Sequence, residues 1–146
     1  MSRQPRRADP GAPVSALPER FLGAVDVAVF AKDAEFRWIY GNAALARGMG
    51  RPLEDILGRT NEDLFVPEQA ALFRARDQEI LDTGRSLTTE AETVWNGHSA
   101  VILSSKALFV DPADGKRYIL GFIQEITSLK RALAALHESE SLHRAI

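Results

Sequence analysis

The chain contains no cysteine. That excludes disulfides, thiolate metal ligands, a cysteine nucleophile and any cysteinyl adduct to a bound chromophore. No apolar run approaches the roughly 20 residues that a membrane helix needs. Arg3, Arg6 and Arg7 are followed by no apolar stretch of the kind a secretory signal carries. Nor is there a basic excess: 18 Lys and Arg stand against 20 Asp and Glu, a formal net charge of −2. That balance argues against a nucleic-acid partner. No Gly-x-Ser-x-Gly elbow, His-Glu-x-x-His helix or P-loop occurs. The expectation is a cytoplasmic chain with no membrane segment and no catalysis of its own.

What is present is 146 residues, 45% hydrophobic and 26% charged, enough for one globular domain plus extensions. Residues 1–16 are rich in Pro, Arg and small residues and read as a flexible leader. Ser15 is placed to cap a short helix with Phe21, Leu22 and Val25 on its apolar side. Val25, Val27 and Val29 then share one face of a strand, Lys32-Asp33-Ala34-Glu35 reads as a turn, and 36–40 as a second strand. Residues 43–49 form a short helix closed by Gly48 and Gly50, and Pro52 starts a brief helical turn. Thr60 caps a further turn with Glu62 and Asp63 near its start.

Pro67 opens the longest internal helix, to about residue 83, with Ala71, Leu72, Ala75, Glu79 and Ile80 at helical spacing and Gly84 as the stop. Strands follow at 86–95, 99–110 and 117–126, the first two joined by Asn96-Gly97, a strong hairpin turn. Two strands, a helical insert and three strands predict an α+β domain on an antiparallel sheet.

The last strand runs straight into a helix. Ile126, Leu129, Leu133 and Leu136 recur at three-and-four spacing, the seam of a two-stranded coiled coil, until Glu140 and His143 break the phase. A strand that continues as an amphipathic helix is a natural output lever. Alternatively, the helix packs back on its own sheet. Ile119, Gly121 and Ile123 share one face of the last strand, while Tyr118, Leu120, Phe122 and Ile126 make the other face apolar as well. A sheet with one wet face would be polar there. Cover must come from the N-terminal helix, the output helix or a second subunit, and the expectation is a homodimer.

In order along the chain stand Val29-Phe30-Ala31-Lys32-Asp33, Asn42-Ala43-Ala44, Leu57-Gly58-Arg59-Thr60 and Asp63-Leu64-Phe65-Val66-Pro67-Glu68. They are followed by Leu81-Asp82-Thr83-Gly84, Lys106-Ala107-Leu108 and Glu125-Ile126-Thr127-Ser128-Leu129-Lys130. This series resembles the PAS domains. The resemblance implies a five-stranded antiparallel sheet with helices on one face, plus flanking N-terminal and C-terminal helices. It divides the chain into a leader (1–16), a PAS domain (17–127) and a signalling helix (128–146). That helix would lead to a downstream effector domain in cis, as in a sensor histidine kinase of a two-component system or a cyclic-dinucleotide enzyme. The family closes its last strand with Asp-Ile-Thr. Here Glu125 keeps the charge on a longer arm, and with Thr127 is the expected signal relay.

The resemblance also aims Ile119, Gly121 and Ile123 inward, at a site for a small molecule. The flavin subtype needs a Cys this chain lacks, and a Gln where Ile123 stands. The haem subtype ligates iron through a His on the long helix, which has none. No cofactor is therefore expected. Two readings of the interior stand: a filled core, making the chain a structural dimerisation module, or a pocket for a small organic ligand held by a polar anchor. Arg74, Arg76, Glu92, Trp95, Ser104 and Lys106 are the candidates to meet it, although Lys106 reads first as solvated. His137-Glu138 is similar to the phospho-acceptor pair of sensor kinases, but Ser139-Glu140-Ser141 follows it, so His137 reads as a solvated helix residue. Glu90 and Glu92 read as like charges on an exposed strand rather than a catalytic pair.

Overall fold

The computed structural model describes residues 27–145, with side-chain surroundings through residue 141. The expected leader, the Ser15 cap and the helix of Phe21, Leu22 and Val25 lie outside the described residues. Five strands form one antiparallel sheet: β1 (Ala28–Asp33), β2 (Trp38–Gly41), β3 (Leu87–Trp95), β4 (His98–Val110) and β5 (Arg117–Glu125), in the order β2-β1-β5-β4-β3. Between β2 and β3 come α1 (Ala43–Met49), a 3-10 turn (Leu53–Asp55), α2 (Asn61–Leu64) and α3 (Pro67–Thr83); α4 (Thr127–Ala145) follows β5.

The turn chemistry behaves as the residues dictate. Asn96 and Gly97 both adopt positive φ, 55° and 81°, which matches the twist of the β3–β4 hairpin. Gly84 ends α3 at φ 73° and donates its N–H to the Ile80 carbonyl. Asp63 accepts from the N–H and hydroxyl of Thr60, closing the start of α2.

The first hairpin differs from its expected phase. Its turn begins one residue later, because Asp33 Oδ1 accepts from the N–H groups of Glu35 and Arg37, and Phe36 takes φ 67°. Lys32 is therefore a strand residue, and Ala28, Phe30 and Lys32 form the buried set rather than Val27 and Val29, while Val25 lies outside the described residues. The stripe expected on α3 is also out of phase. Ala70, Asp77, Ile80 and Leu81 are buried, whereas Ala71, Leu72, Ala75 and Glu79 are exposed.

Two apolar clusters fill the space between sheet and helices. Phe30, Trp38, Leu45, Ile56, Trp95 and Ala100 anchor the first; Phe36, Ile80, Leu81 and Ile119 form the second. Gly48 lets α1 approach the β3–β4 hairpin closely: a Cβ there would collide with the Trp95 indole. Overpacking costs about 1–3 kcal/mol and the helix gains about 1 kcal/mol from Gly→Ala. Gly48→Ala is therefore expected to lower stability on balance and to shift the Trp95 fluorescence, both read in one urea titration.

Candidate functional site

The inner face of the sheet and the faces of α1, α2 and α3 leave a cavity of about 500 Å³. Its strand side comes from Phe30 and Lys32 of β1, Thr89, Ala91 and Trp95 of β3, Ile102, Ser104 and Lys106 of β4, and Ile123 of β5. Its helix side includes Met49, Leu64, Gln69, Phe73 and Arg76. Strand alternation builds the first wall: the register pairs Ser104 with Ile123 and Lys106 with Gly121, so inward residues of neighbouring strands lie side by side.

A charged floor underlies this space. Asp77, 0% exposed, holds Lys32 Nζ through Oδ2 at 2.7 Å and Lys106 Nζ through Oδ1 at 2.8 Å. Lys32 is 1% exposed and Lys106 11%. Asn61 Oδ1 accepts from Trp38 Nε1 at 2.9 Å and from Lys32 Nζ at 3.3 Å. The Lys32 ammonium also lies 4.5 Å from the centre of the Trp38 ring. Burial, and then repulsion from Lys106, pull its pKa down from 10.5 to about 8 against the attraction of Asp77. Two ammonium groups share one carboxylate, so the floor carries an excess positive charge.

Of the residues expected at a pocket, Trp95, Ser104, Ile123 and Arg76 line the cavity. Lys106, expected in solvent, is drawn inward by Asp77. Arg74 faces elsewhere: Glu62 of α2 captures its guanidinium at 2.7 and 2.8 Å, and Phe36 packs beneath it at 4.5 Å. That pairing holds the Glu62 carboxyl down to about 2. Glu92 touches the cavity rim but sits on the exposed register of β3, in phase with Glu90, whose carboxylate meets Lys130 of α4 at 3.2 Å. Ile119 and Gly121 do point inward, yet neither lines the cavity. Ile119 belongs to the second apolar cluster, and the Phe30 ring covers Gly121, where a Cβ would lie 2.5 Å from Cζ.

Lys32, Asp77 and Asn61 escaped the sequence reading. A lysine in phase with Ala28 and Phe30, and a lone acid in phase with Phe73, Ile80 and Leu81, were the available signals.

The root of α4 is tied to the same strands. Val101 donates its N–H to Thr127 Oγ1 at 3.0 Å and accepts from the Ile126 N–H at 2.8 Å. Glu125 meets His98 Nε2 at 3.1 Å and Asn96 Nδ2 at 3.4 Å, bridging the end of β5 to the β3–β4 turn. The His98 hydrogen bond, with help from Thr127, lowers the Glu125 pKa. Beyond this root α4 leaves the globule: Leu129, Leu133 and Leu136 are 57%, 53% and 56% exposed. Leu120, Phe122, Phe109 and Ile39 are exposed large apolar residues on the strands, and Tyr118 beside them is half-buried.

The profile of the PAS fold family matches residues 22–131. The chain belongs to the PAS fold family. PAS domains are in general regulatory sensor domains rather than catalysts, and a signal-sensing role follows for this one. The chain is 27% identical over 131 residues to the uncharacterized protein y4lL of Sinorhizobium fredii, covering 88% of this chain and 16% of that protein. The PAS domain of Bordetella pertussis BvgS superposes with a TM-score of 0.61 at 20% identity, over 86% of this chain and 98% of that one. Vibrio cholerae VqmA, solved as a complex with ligand and DNA, gives a TM-score of 0.68 at 22% identity, over 80% of this chain and 53% of that one. This PAS fold thus spans a fraction of the length of y4lL and about half that of VqmA. With a DNA-bound protein among the structural neighbours, the net charge of one PAS fold gives no ground for excluding a nucleic-acid partner. Among the described residues no helix is long and apolar enough to cross a membrane.

Proposed function

We propose that this PAS domain is the ligand-sensing and dimerising part of a larger cytoplasmic signalling protein, without catalysis of its own, whose effector domain follows α4. One observation carries the reading: the cavity wall and the root of α4 are built from the same strand ends. Trp95 and Ile123 line the cavity. Asn96, His98, Val101 and Glu125, one to six residues away in sequence, hold the start of α4. A ligand that moves Trp95 or Ile123 acts one residue from Asn96 and two from Glu125, and Ile102, also in the cavity wall, adjoins Val101, which holds Thr127. A cleft of this size, lined in part by the exposed Leu72 and Val94, gives a ligand room that a filled interior would not.

The dimer reading rests on Leu129, Leu133 and Leu136, more than half exposed along α4, together with Leu120 and Phe122 on the outer face of β5. A second copy of the chain, with the same leucine seam, is the occupant that suits both surfaces. Leu133→Glu places a charge on that seam. Sedimentation velocity is expected to show a dimer for the parent chain and a shift toward monomer for the variant. An unchanged dimer would remove α4 from the interface.

A further inference from the structure

The cavity is built for one sign of charge. Lys32, Lys106, Arg51 and Arg76 line it, and the acidic residue among its lining, Glu92, lies on the exposed register of β3. Asp77 commits one oxygen to each ammonium and has none left to balance a further cation. Arg51 is tied to the Leu64 carbonyl at 3.4 Å. Arg76 is half-buried, and among the described residues it has no hydrogen-bond or ion-pair partner. The remaining walls are rich in rings: Phe30, Trp38, Phe65, Phe73 and Trp95.

From these observations we propose that the cavity takes a small aromatic monocarboxylate, its ring among the aromatic walls and its carboxylate on the Lys106 ammonium, with Arg76 adding charge from α3. The proposal rests on the sensor reading above and names the ligand class for the same cavity. Two ammonium groups against one carboxylate leave a single excess positive charge on the floor, which one carboxylate neutralises. The compact polar head of a phosphate would leave the rings without a partner. The Lys32 pKa is lowered first by burial and then by repulsion from Lys106, which accords with the excess positive charge seen in the geometry of the floor. Charge-assisted hydrogen bonds to a carboxylate are roughly twice as strong as neutral ones. The bound acid is thereby separated from its neutral isostere.

The test is calorimetric titration of the whole 146-residue chain with 2-naphthoate and with 2-naphthamide, which share size and ring but differ in charge. The acid is expected to bind at least about tenfold tighter, a difference of about 1.4 kcal/mol. Lys106→Met is expected to erase that preference and leave the amide's affinity unchanged, while Lys106→Arg retains it. Thermal melts confirm that each variant folds. Equal binding of acid and amide by the parent chain overturns the anion class and leaves the cavity as a ligand site. No binding of either, with the tryptophan fluorescence unmoved, overturns the sensor reading together with the proposal.

Discussion

Asp77→Ala is expected to lower the unfolding free energy by about 3–5 kcal/mol, the cost of stranding a buried charge by removing its partner. The loss falls on Lys32 and Lys106 together, since the carboxylate holds both at 2.7 and 2.8 Å. Lys32, 1% exposed, loses its counter-charge where burial already disfavours the ammonium, so the charged form is destabilised in place. Urea denaturation reads the change in midpoint. Replacing the pair by apolar residues of similar volume, Lys32→Met with Asp77→Leu, together with Lys106→Met so that no ammonium is left stranded, is expected to recover much of the loss, because the desolvation cost disappears with the charges.

The same pair sets a pH dependence. The folded Lys32 pKa, about 8, lies below its ordinary 10.5. Between those values the unfolded chain binds more protons than the folded one, so the unfolding free energy rises with pH. This contribution is complete above about 10.5 and lost as pH falls through about 8. Urea midpoints taken at about pH 7 and about pH 9.5 should therefore differ between the parent chain and Lys32→Met, with the parent gaining relative stability at the higher pH. Parallel curves would show that Lys32 titrates as it does when unfolded.

Asn42→Ala is the second large effect, at about 3 kcal/mol or more. Asn42 is 4% exposed and joins three pieces of backbone. Its Oδ1 accepts from Val29 N–H at 3.0 Å and from Leu45 N–H at 3.1 Å, and its Nδ2 donates to the Val27 carbonyl at 2.9 Å. Alanine removes the cap of α1, about 1 kcal/mol, and leaves backbone groups of β1 unpaired at about 1–3 kcal/mol each. Asn42→Asp keeps both acceptances and loses the donation, so its loss should be smaller. Denaturation gives the ranking. Hydrogen exchange at Val29 should accelerate in Asn42→Ala and stay slower in Asn42→Asp.

Local chemistry made much of this fold legible. Pro67 and Gly84 bracket α3, Asn96-Gly97 makes its turn, and alternation puts Ile119, Gly121 and Ile123 on one face of β5, which the family resemblance aims inward. These signals act within a few residues. The floor of the cavity does not: Lys32 and Asp77 are 45 residues apart, and Lys106 and Asp77 are 29 apart. A charged side chain taken singly belongs in water, so Lys32 reads as a turn residue and Lys106 as solvated until the carboxylate that holds both is in place. Arg74 failed in the opposite direction. Its helix position suits a pocket, and Glu62 on a neighbouring turn takes it away. The phase of α3 was misread for the same reason, since its buried stripe contains Asp77 and its exposed side contains Leu72.

On the proposed function, α4 reads out what occupies the cavity. Because the chain has no cysteine, His137→Cys gives a single spin label on α4 without further changes. The measurement is the label-to-label distance distribution in the proposed dimer by pulsed electron resonance, with and without saturating 2-naphthoate. Ligand is expected to move or narrow the distribution, and Glu125→Ala, which removes the tie from the end of β5 to the β3–β4 turn, is expected to abolish that response. A distribution that stays the same while calorimetry shows the cavity filled would contradict the proposed function.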